Sequence, residues 1–321
     1  MTEKSTSLTR YAWLSIGAAV VTITMKTFAW RITGSVSLLS DAAETVVNLA
    51  AAILALCMLI VAARPPDSNH HFGHDKAEYF SAAVEGVLIF IAAVIIIYTA
   101  VDRLLHPQEL ESIGVGALVA VAAAAVNGVV GSILIMVGKK RRSPTLLADG
   151  KHLWTDVVTS VGVVIGILLV MVTGWQPLDS IVALIVGANI IVTGVRLVRD
   201  STAALMDVTL PDSENTAIAS TLAGFTTDDV HFHGLRTRVS ARHRFAVVDM
   251  LVPGTWSVRR SHDLIEDVEA AVTKAFPDLQ LQVHLEPKED PRAYGDFAVE
   301  VPIPSTPPAQ ADDPSSADPL N

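Results

Sequence analysis

Charged residues are missing from five long stretches of this chain, and that pattern constrains its fold more than any other feature. Residues 49–63, 86–100, 113–138, 157–172 and 181–195 hold no Asp, Glu, Lys or Arg, and residues 11–30 hold only Lys26. A helix needs ~20 mostly apolar residues to cross a bilayer. In lipid a backbone must satisfy its own polar groups, which leaves the helix as the unit for such runs. The pattern predicts six transmembrane helices at 8–31, 36–63, 78–102, 112–138, 146–172 and 178–198. Composition agrees: 51% of the 321 residues are hydrophobic and 17% are charged, too apolar for a soluble domain of this size. The first segment reads as a retained span rather than a cleaved leader, because it is long and lacks a small-residue cleavage site. The net charge of −10 says little, since much of the acid lies outside the apolar segments. Cys57 is the single cysteine, which excludes a disulfide framework and a cysteine metal cage.

Basic residues in the short connections set the expected orientation. Arg64 and Lys76 lie in the second connection, Lys139 to Arg142 run consecutively in the fourth, and Arg196 and Arg199 close the sixth span. The third connection, "HPQELES", is acidic, and the fifth, "TGWQPLD", has no base; Arg31 is the mild exception. Both termini are therefore expected in the cytoplasm, with the chain a multi-pass protein of the plasma (inner) membrane.

From Met206 the pattern becomes that of a soluble domain. "HFHGLRTRVS" and "HRFAVVDMLV" alternate as strands around a short turn at Ala241 and Arg242. "SVRRSHDLIEDVEAAVTKAF" is an amphipathic helix with Leu264, Val268, Ala271, Val272 and Ala275 on one face. "LQLQVHLEP" is a third strand, and 213–223 an earlier helix. The order α-β-β-α-β suits a small α+β sandwich. The fold class expected is thus a six-helix membrane protein with a C-terminal cytoplasmic α+β domain. Its parts are a six-helix transmembrane domain at 1–205, a cytoplasmic domain at 206–288 and a disordered, proline-rich tail at 289–321.

Ionisable groups at membrane depth are costly, and their default reading is functional. His152 and Asp156 are i, i+4 in the fifth span and share a helix face. An imidazole nitrogen and a carboxylate oxygen are good zinc ligands. Asp41, Glu44 and Asn48 interrupt the second span, and Glu44 and Asn48 are again one turn apart. Two such pairs on two helices supply four ligands, enough to enclose one tetrahedral cation. The competing reading of Asn48 is a helix–helix hydrogen bond. For Glu44 that reading is weaker, since a lone buried carboxylate is expensive. In the second connection Asp67, His70 and His74 fall at i, i+3, i+7 beside His71, a metal cluster or a solvated loop. In the soluble part His233, Asp249, His262, His284 and Glu286 lie on or beside predicted elements. His284 and Glu286 face the same side of one strand, while scattered surface histidines remain the alternative. Glu85 and Asp179 receive no role.

These motifs together resemble the cation diffusion facilitators. "GSVSLLSDAAETVVN" is similar to that family's second-span signature, "LLADGKHLWTDVVTSVGV" to its fifth, and "NHHFGHDKAEYF" to its loop signature. "FHGLRTR" and "QVHLEP" resemble strands of its metallochaperone-like cytoplasmic domain, and the resemblance covers roughly residues 8–288. It implies a homodimer that exports divalent transition metals from the cytoplasm while protons move inward. The implied transport site is Glu44, Asn48, His152 and Asp156. Usual members have Asp or His at the Glu44 position and Asp at the Asn48 position. The loss of one negative charge, with more oxygen ligands, leans toward harder ions such as manganese or iron(II). The resemblance also implies a loop metal site at Asp67, His70 and His74. It implies a binuclear site at His233, Asp249, His262, His284 and Glu286, where Asp249 stands for a His and Glu286 for an Asp of zinc-exporting relatives. Lys76 and Asp207 resemble an inter-subunit charge interlock.

The expected function is efflux of a divalent cation by proton antiport. Zinc is the first candidate, with manganese, iron(II), cobalt and cadmium behind it. His152 is the expected proton carrier, because imidazole titrates near neutrality. The metal acts as substrate and regulatory ligand; no prosthetic group is expected. Expected partners are the metal, protons, a second copy of the chain and the bilayer, with no nucleic acid. Spans 1, 2, 4 and 5 rocking against the dimer-forming pair is what the resemblance implies for alternating access. A non-transporting metal sensor or scaffold is the alternative. An enzyme is not expected: no HExxH or GxSxG motif supplies a base or nucleophile.

Overall fold

The computed structural model describes residues 6–33, 36–106, 114–175, 177–295 and 299–304. The chain divides into two compact units, Met1–Met206 and Asp207–Asn321. The first contains six helices: α1 Thr6–Thr33, α2 Val36–Ala62, α3 Ala77–Leu105, α4 Gly114–Arg141, α5 Pro144–Thr173 and α6 Pro177–Leu205. α1 to α5 begin and end within about three residues of the predicted spans, because the breaks fall where polar and proline residues interrupt the apolar runs, while α6 runs past residue 198 to Leu205. Among the described residues, four stretches are long and apolar enough to cross a membrane: Leu8–Arg31, Ala77–Leu105, Val121–Arg141 and Ser180–Leu205.

Side-chain placement in this unit inverts that of a water-soluble bundle. Phe80, Tyr98, Leu118 and Ile185 are exposed, while Ser15, Thr22, Ser81, Glu85, Asn127, Asp149 and His152 are buried. Lipid does not drive apolar side chains inward, so the interior is free to collect small and polar residues. Small residues also let the helices approach closely. A Cβ at Gly86 of α3 would lie 3.1 Å from the Gly194 carbonyl of α6, and one at Gly150 of α5 would lie 2.9 Å from the Gly131 carbonyl of α4. These contacts fix α3 and α5, the two helices that carry most of the buried ionisable groups.

The second unit is a three-stranded sheet ordered β1-β2-β3, with β1 His231–Ser240, β2 His243–Val252 and β3 Leu279–Pro287. β1 and β2 are antiparallel, and β3 returns parallel to β2 through helix α8, Val258–Ala275. Helix α7, Asp212–Ala223, precedes the sheet. Ala241, in the two-residue connection of β1 and β2, has φ 46°. Ser257 caps α8 by accepting from the Arg260 N–H, which satisfies one orphan donor of the first turn. Ile218 and Leu222 of α7, Val268 and Val272 of α8, and Val248 and Met250 of β2 form the core. The helices thus cover one face of the sheet, and period-2 alternation turns Asp249, His284 and Glu286 to the other. Arg244 is buried between Glu214 and Asp278, at 2.9 and 2.8 Å, which pins α7 to the sheet.

The segment after β3 departs from the expected disorder. Residues 291–294 form a 3-10 turn, Val301 bridges to Leu235 of β1, and Val301 and Ile303 pack against the core. Prolines dominate the composition here, but Val299, Val301 and Ile303 alternate. That alternation is a strand-edge signal which the proline content obscures. Residues 305–321 lie outside the described residues.

Candidate metal sites

In the helical unit, α2 and α5 bring three of the four predicted ligands together. His152 Nε2 lies 2.9 Å from Asn48 Oδ1, and Asn48 Nδ2 donates to Asp156 Oδ2 at 2.8 Å. The carboxylate takes the amide N–H, so the Asn48 carbonyl must face the imidazole, which then donates from Nε2. The one-turn spacing on α5 makes this possible, since both of its side chains leave the same face. The side chains of Asp41 and Glu44 lie outside the described residues.

Three further polar side chains adjoin this group. Asn127 of α4 donates to Asp156 Oδ2 at 3.3 Å. Asp149, one turn before His152, accepts from Ser15 of α1 at 3.0 Å. Glu85 of α3 is 1% exposed, and its Oε2 lies 4.0 Å from His152 Nδ1. Glu85 was singled out by sequence without a role, and Asn127 was missed. The available signal was simple: Asn127 is the lone amide in the charge-free stretch 113–138.

Asp67, His70 and His74 come together in the second connection. Their ligand atoms lie within 4.8 Å of one another, and the two rings are 4.3 Å apart. Asp67 accepts from the Asn69 and His70 N–H groups, at 2.9 and 2.8 Å, an Asx turn that closes the loop. The Asn69 N–H is the chief reason the Asp67 carboxyl lies below its ordinary range, with the His70 ring adding to it. That leaves a charged carboxylate facing two imidazoles, a donor set suited to a divalent cation.

The sheet builds the third group by register. His233 pairs with Asp249 across β1 and β2, and Asp249 pairs with His284 across β2 and β3. Glu286 follows two residues on, on the same side. Its two oxygens lie 3.5 Å from His233 Nε2 and 3.4 Å from His284 Nε2. His233, Asp249 and Glu286 have ligand atoms within 4.8 Å. His233 Nε2 and Glu286 Oε2 are buried without a hydrogen-bond partner, so lone pairs converge there that a cation would satisfy. Burial pushes the Asp249 carboxyl up, and the Glu286 charge adds to the shift against the opposing His233. Gly234, at φ 64°, makes the bulge that separates His233 from the regular ladder. The Gly234 N–H donates to Glu300, and Tyr294 stacks on His233 at 6.4 Å between centroids. The segment after β3 therefore holds the backbone beside this ligand. His262 sits on the exposed face of α8, 3.6 Å from Glu266. Lys76 donates to the Leu205 carbonyl at 3.3 Å, and Asp207 pairs with Arg238 at 3.2 Å.

Residues 12–206 match the cation efflux transmembrane domain, and residues 210–288 match the cation efflux protein cytoplasmic domain. The chain belongs to the cation diffusion facilitator family. A protein of Synechocystis sp. described as an uncharacterized transporter is 49% identical over 284 residues, 88% of this chain and 92% of that one. The cation-efflux pump FieF of Pectobacterium carotovorum is 31% identical over 84% of this chain and 89% of its own. FieF of Escherichia fergusonii is 28% identical over 87% of this chain and 93% of its own. This facilitator is accordingly a multi-pass membrane transporter of divalent metal cation efflux rather than a member of an enzyme family. The family's cytoplasmic match ends at residue 288, so Tyr294, Glu300 and Val301, which contact β1, lie beyond it.

Proposed function

We propose that this facilitator exports zinc from the cytoplasm in exchange for protons, through a site made by Glu44, Asn48, His152 and Asp156. The contact of Asn48, His152 and Asp156 inside the helical bundle is the observation that carries this reading. Polar and ionisable side chains within a membrane bundle need a reason, and a cation that has shed water needs such ligands. Ligands must be deprotonated to bind metal, so protons and metal compete for one site. Cytoplasmic metal would displace protons from His152 and Asp156, and protons arriving from outside would displace the metal. The interior Asn48 amide lowers the negative charge of the site and keeps manganese, iron(II), cobalt and cadmium as competing cargoes.

The working form is a homodimer in the inner membrane with both termini in the cytoplasm. The transport domain would end near residue 205, followed by the regulatory domain. Asp67, His70 and His74 would hold a second ion at the membrane surface. His233, Asp249, His284 and Glu286 would hold regulatory metal with His262, and Lys76 and Asp207 would join subunits. Regulation requires the metal to bind two dimer arrangements with different affinity. The test is proteoliposome flux with each of the five metals for wild type and Asn48→Asp. Zinc-driven proton release in the wild type supports the reading. Absence of flux with all five would favour the sensor alternative.

A further inference from the structure

Glu85 is a buried ionisable group that the four-ligand site does not use. Both of its carboxyl oxygens are buried without a hydrogen-bond partner, an expensive arrangement at membrane depth. Its place is closely fixed, because the next residue, Gly86, lies where α3 and α6 touch backbone to backbone. From there Oε2 faces the Nδ1 side of His152 at 4.0 Å, while Nε2 of the same ring faces Asn48. The imidazole is thus held between a ligand group on one nitrogen and a carboxyl on the other.

The tautomer gives this geometry a consequence. Against the Asn48 carbonyl, Nε2 carries the hydrogen. A cation at the Asn48–Asp156 side needs the Nε2 lone pair, so a neutral ring must carry its hydrogen on Nδ1 instead. Nδ1–H then points at Glu85. Metal-binding histidines commonly donate their second N–H to a carboxylate, which fixes ring orientation and strengthens the ligand. A separation of 4.0 Å is too long for a hydrogen bond, but such bonds tighten when the bound state forms.

We propose that Glu85 is the positioning residue for His152, accepting its Nδ1–H whenever Nε2 binds the transported cation. This rests on the transport site proposed above. It also supplies a carboxyl close to the site from a helix outside the four-ligand set, where Asn48 has removed one.

The experiment labels histidine with 15N in the full-length protein and reads the His152 tautomer with zinc bound, using His152→Gln to assign the signal. The expected spectrum shows a hydrogen-bonded Nδ1–H and a metal-bound Nε2. Zinc on Nδ1, or a metal-bound ring whose Nδ1–H is not hydrogen-bonded, overturns the proposal without any variant of Glu85. In proteoliposomes Glu85→Met should raise the zinc KM by about 10–100-fold, the range for loss of such a partner. Glu85→Gln keeps an acceptor and should restore most of it. Equal KM values for wild type and Glu85→Met, or equal losses in both variants with an unchanged tautomer, also overturn it. Failure of the wild type to carry metal would instead overturn the transport reading, since the bound-state spectrum is read independently of flux.

Discussion

The helical unit and the sheet unit each gather histidine and carboxylate, but by different means. In the helical unit the ligands come from separate helices and are read along one helix at i, i+4: His152 and Asp156 on α5 meet Asn48 on α2. In the sheet unit they come from three adjacent strands and are read across the ladder: His233, Asp249 and His284 occupy successive register positions. Helix packing leaves a site that rigid-body motion of helices can open from either side. In a hydrogen-bonded sheet the ladder instead holds the ligand-bearing backbones at fixed spacing. The first arrangement suits passage and the second suits retention, which is why cargo is assigned to one and regulation to the other.

The largest effect that would break this comparison is at Asp156. Asp156→Ala should reduce metal flux to the level of empty vesicles while metal binding by the sheet unit is unchanged in titration calorimetry. Equal losses at both sites would mean that the two units are not separate in function. Next is Asp249→Ala, which should weaken metal binding by the sheet unit at least tenfold, in the range seen when a metal site loses a supporting group. Flux at saturating metal should persist.

The Asp249 carboxyl adds a pH signature. Burial holds its folded-state pKa above the ordinary value, so the folded chain without metal binds protons more readily than the unfolded one. The cost of holding the carboxylate is absent below the unfolded value and fully present above the folded one. Asp249→Asn should therefore raise the metal-free melting temperature at neutral pH and abolish the additional rise caused by zinc. Metal affinity of this unit should begin to fall, as pH drops, above the ordinary carboxylate range of ~3.9. An unchanged pH profile in Asp249→Asn would remove Asp249 from the site.

A smaller effect is expected from ending the chain at residue 288. Val301 and Ile303 would leave the core and the Leu235 edge would be uncovered. Loss of two partly buried aliphatic side chains costs about 1–3 kcal/mol, visible as a lower melting temperature of the sheet unit in the full-length protein. The smallest is Asp67→Ala. Its carboxylate is half-exposed, and solvent-exposed pairs contribute little, so flux at saturating metal should stay within about twofold of wild type.

Much of the fold was legible because each unit carries a strong sequence pattern. The spans follow from charge-free runs, and the three strands follow from alternation bounded by turn and proline residues. Residues 289–304 were harder, since proline content masks the short alternation at Val299, Val301 and Ile303. For the sites, spacing was informative within an element and silent between elements. His152 with Asp156, and His284 with Glu286, were visible as pairs. The placement of Glu85 behind His152 depends on how α3 packs against α5 and α6, and no local period encodes that. Asp249 opposite His233 depends on strand register beyond a bulge at Gly234, which a reading of either strand alone does not supply.

The most direct measurement is zinc-driven proton movement in proteoliposomes, comparing wild type with His152→Ala under the same zinc gradient. The account predicts proton counterflow in the wild type and none in the variant, with zinc binding by the sheet unit intact in both. Proton counterflow that survives His152→Ala would contradict the assignment of His152 as the shared metal and proton site.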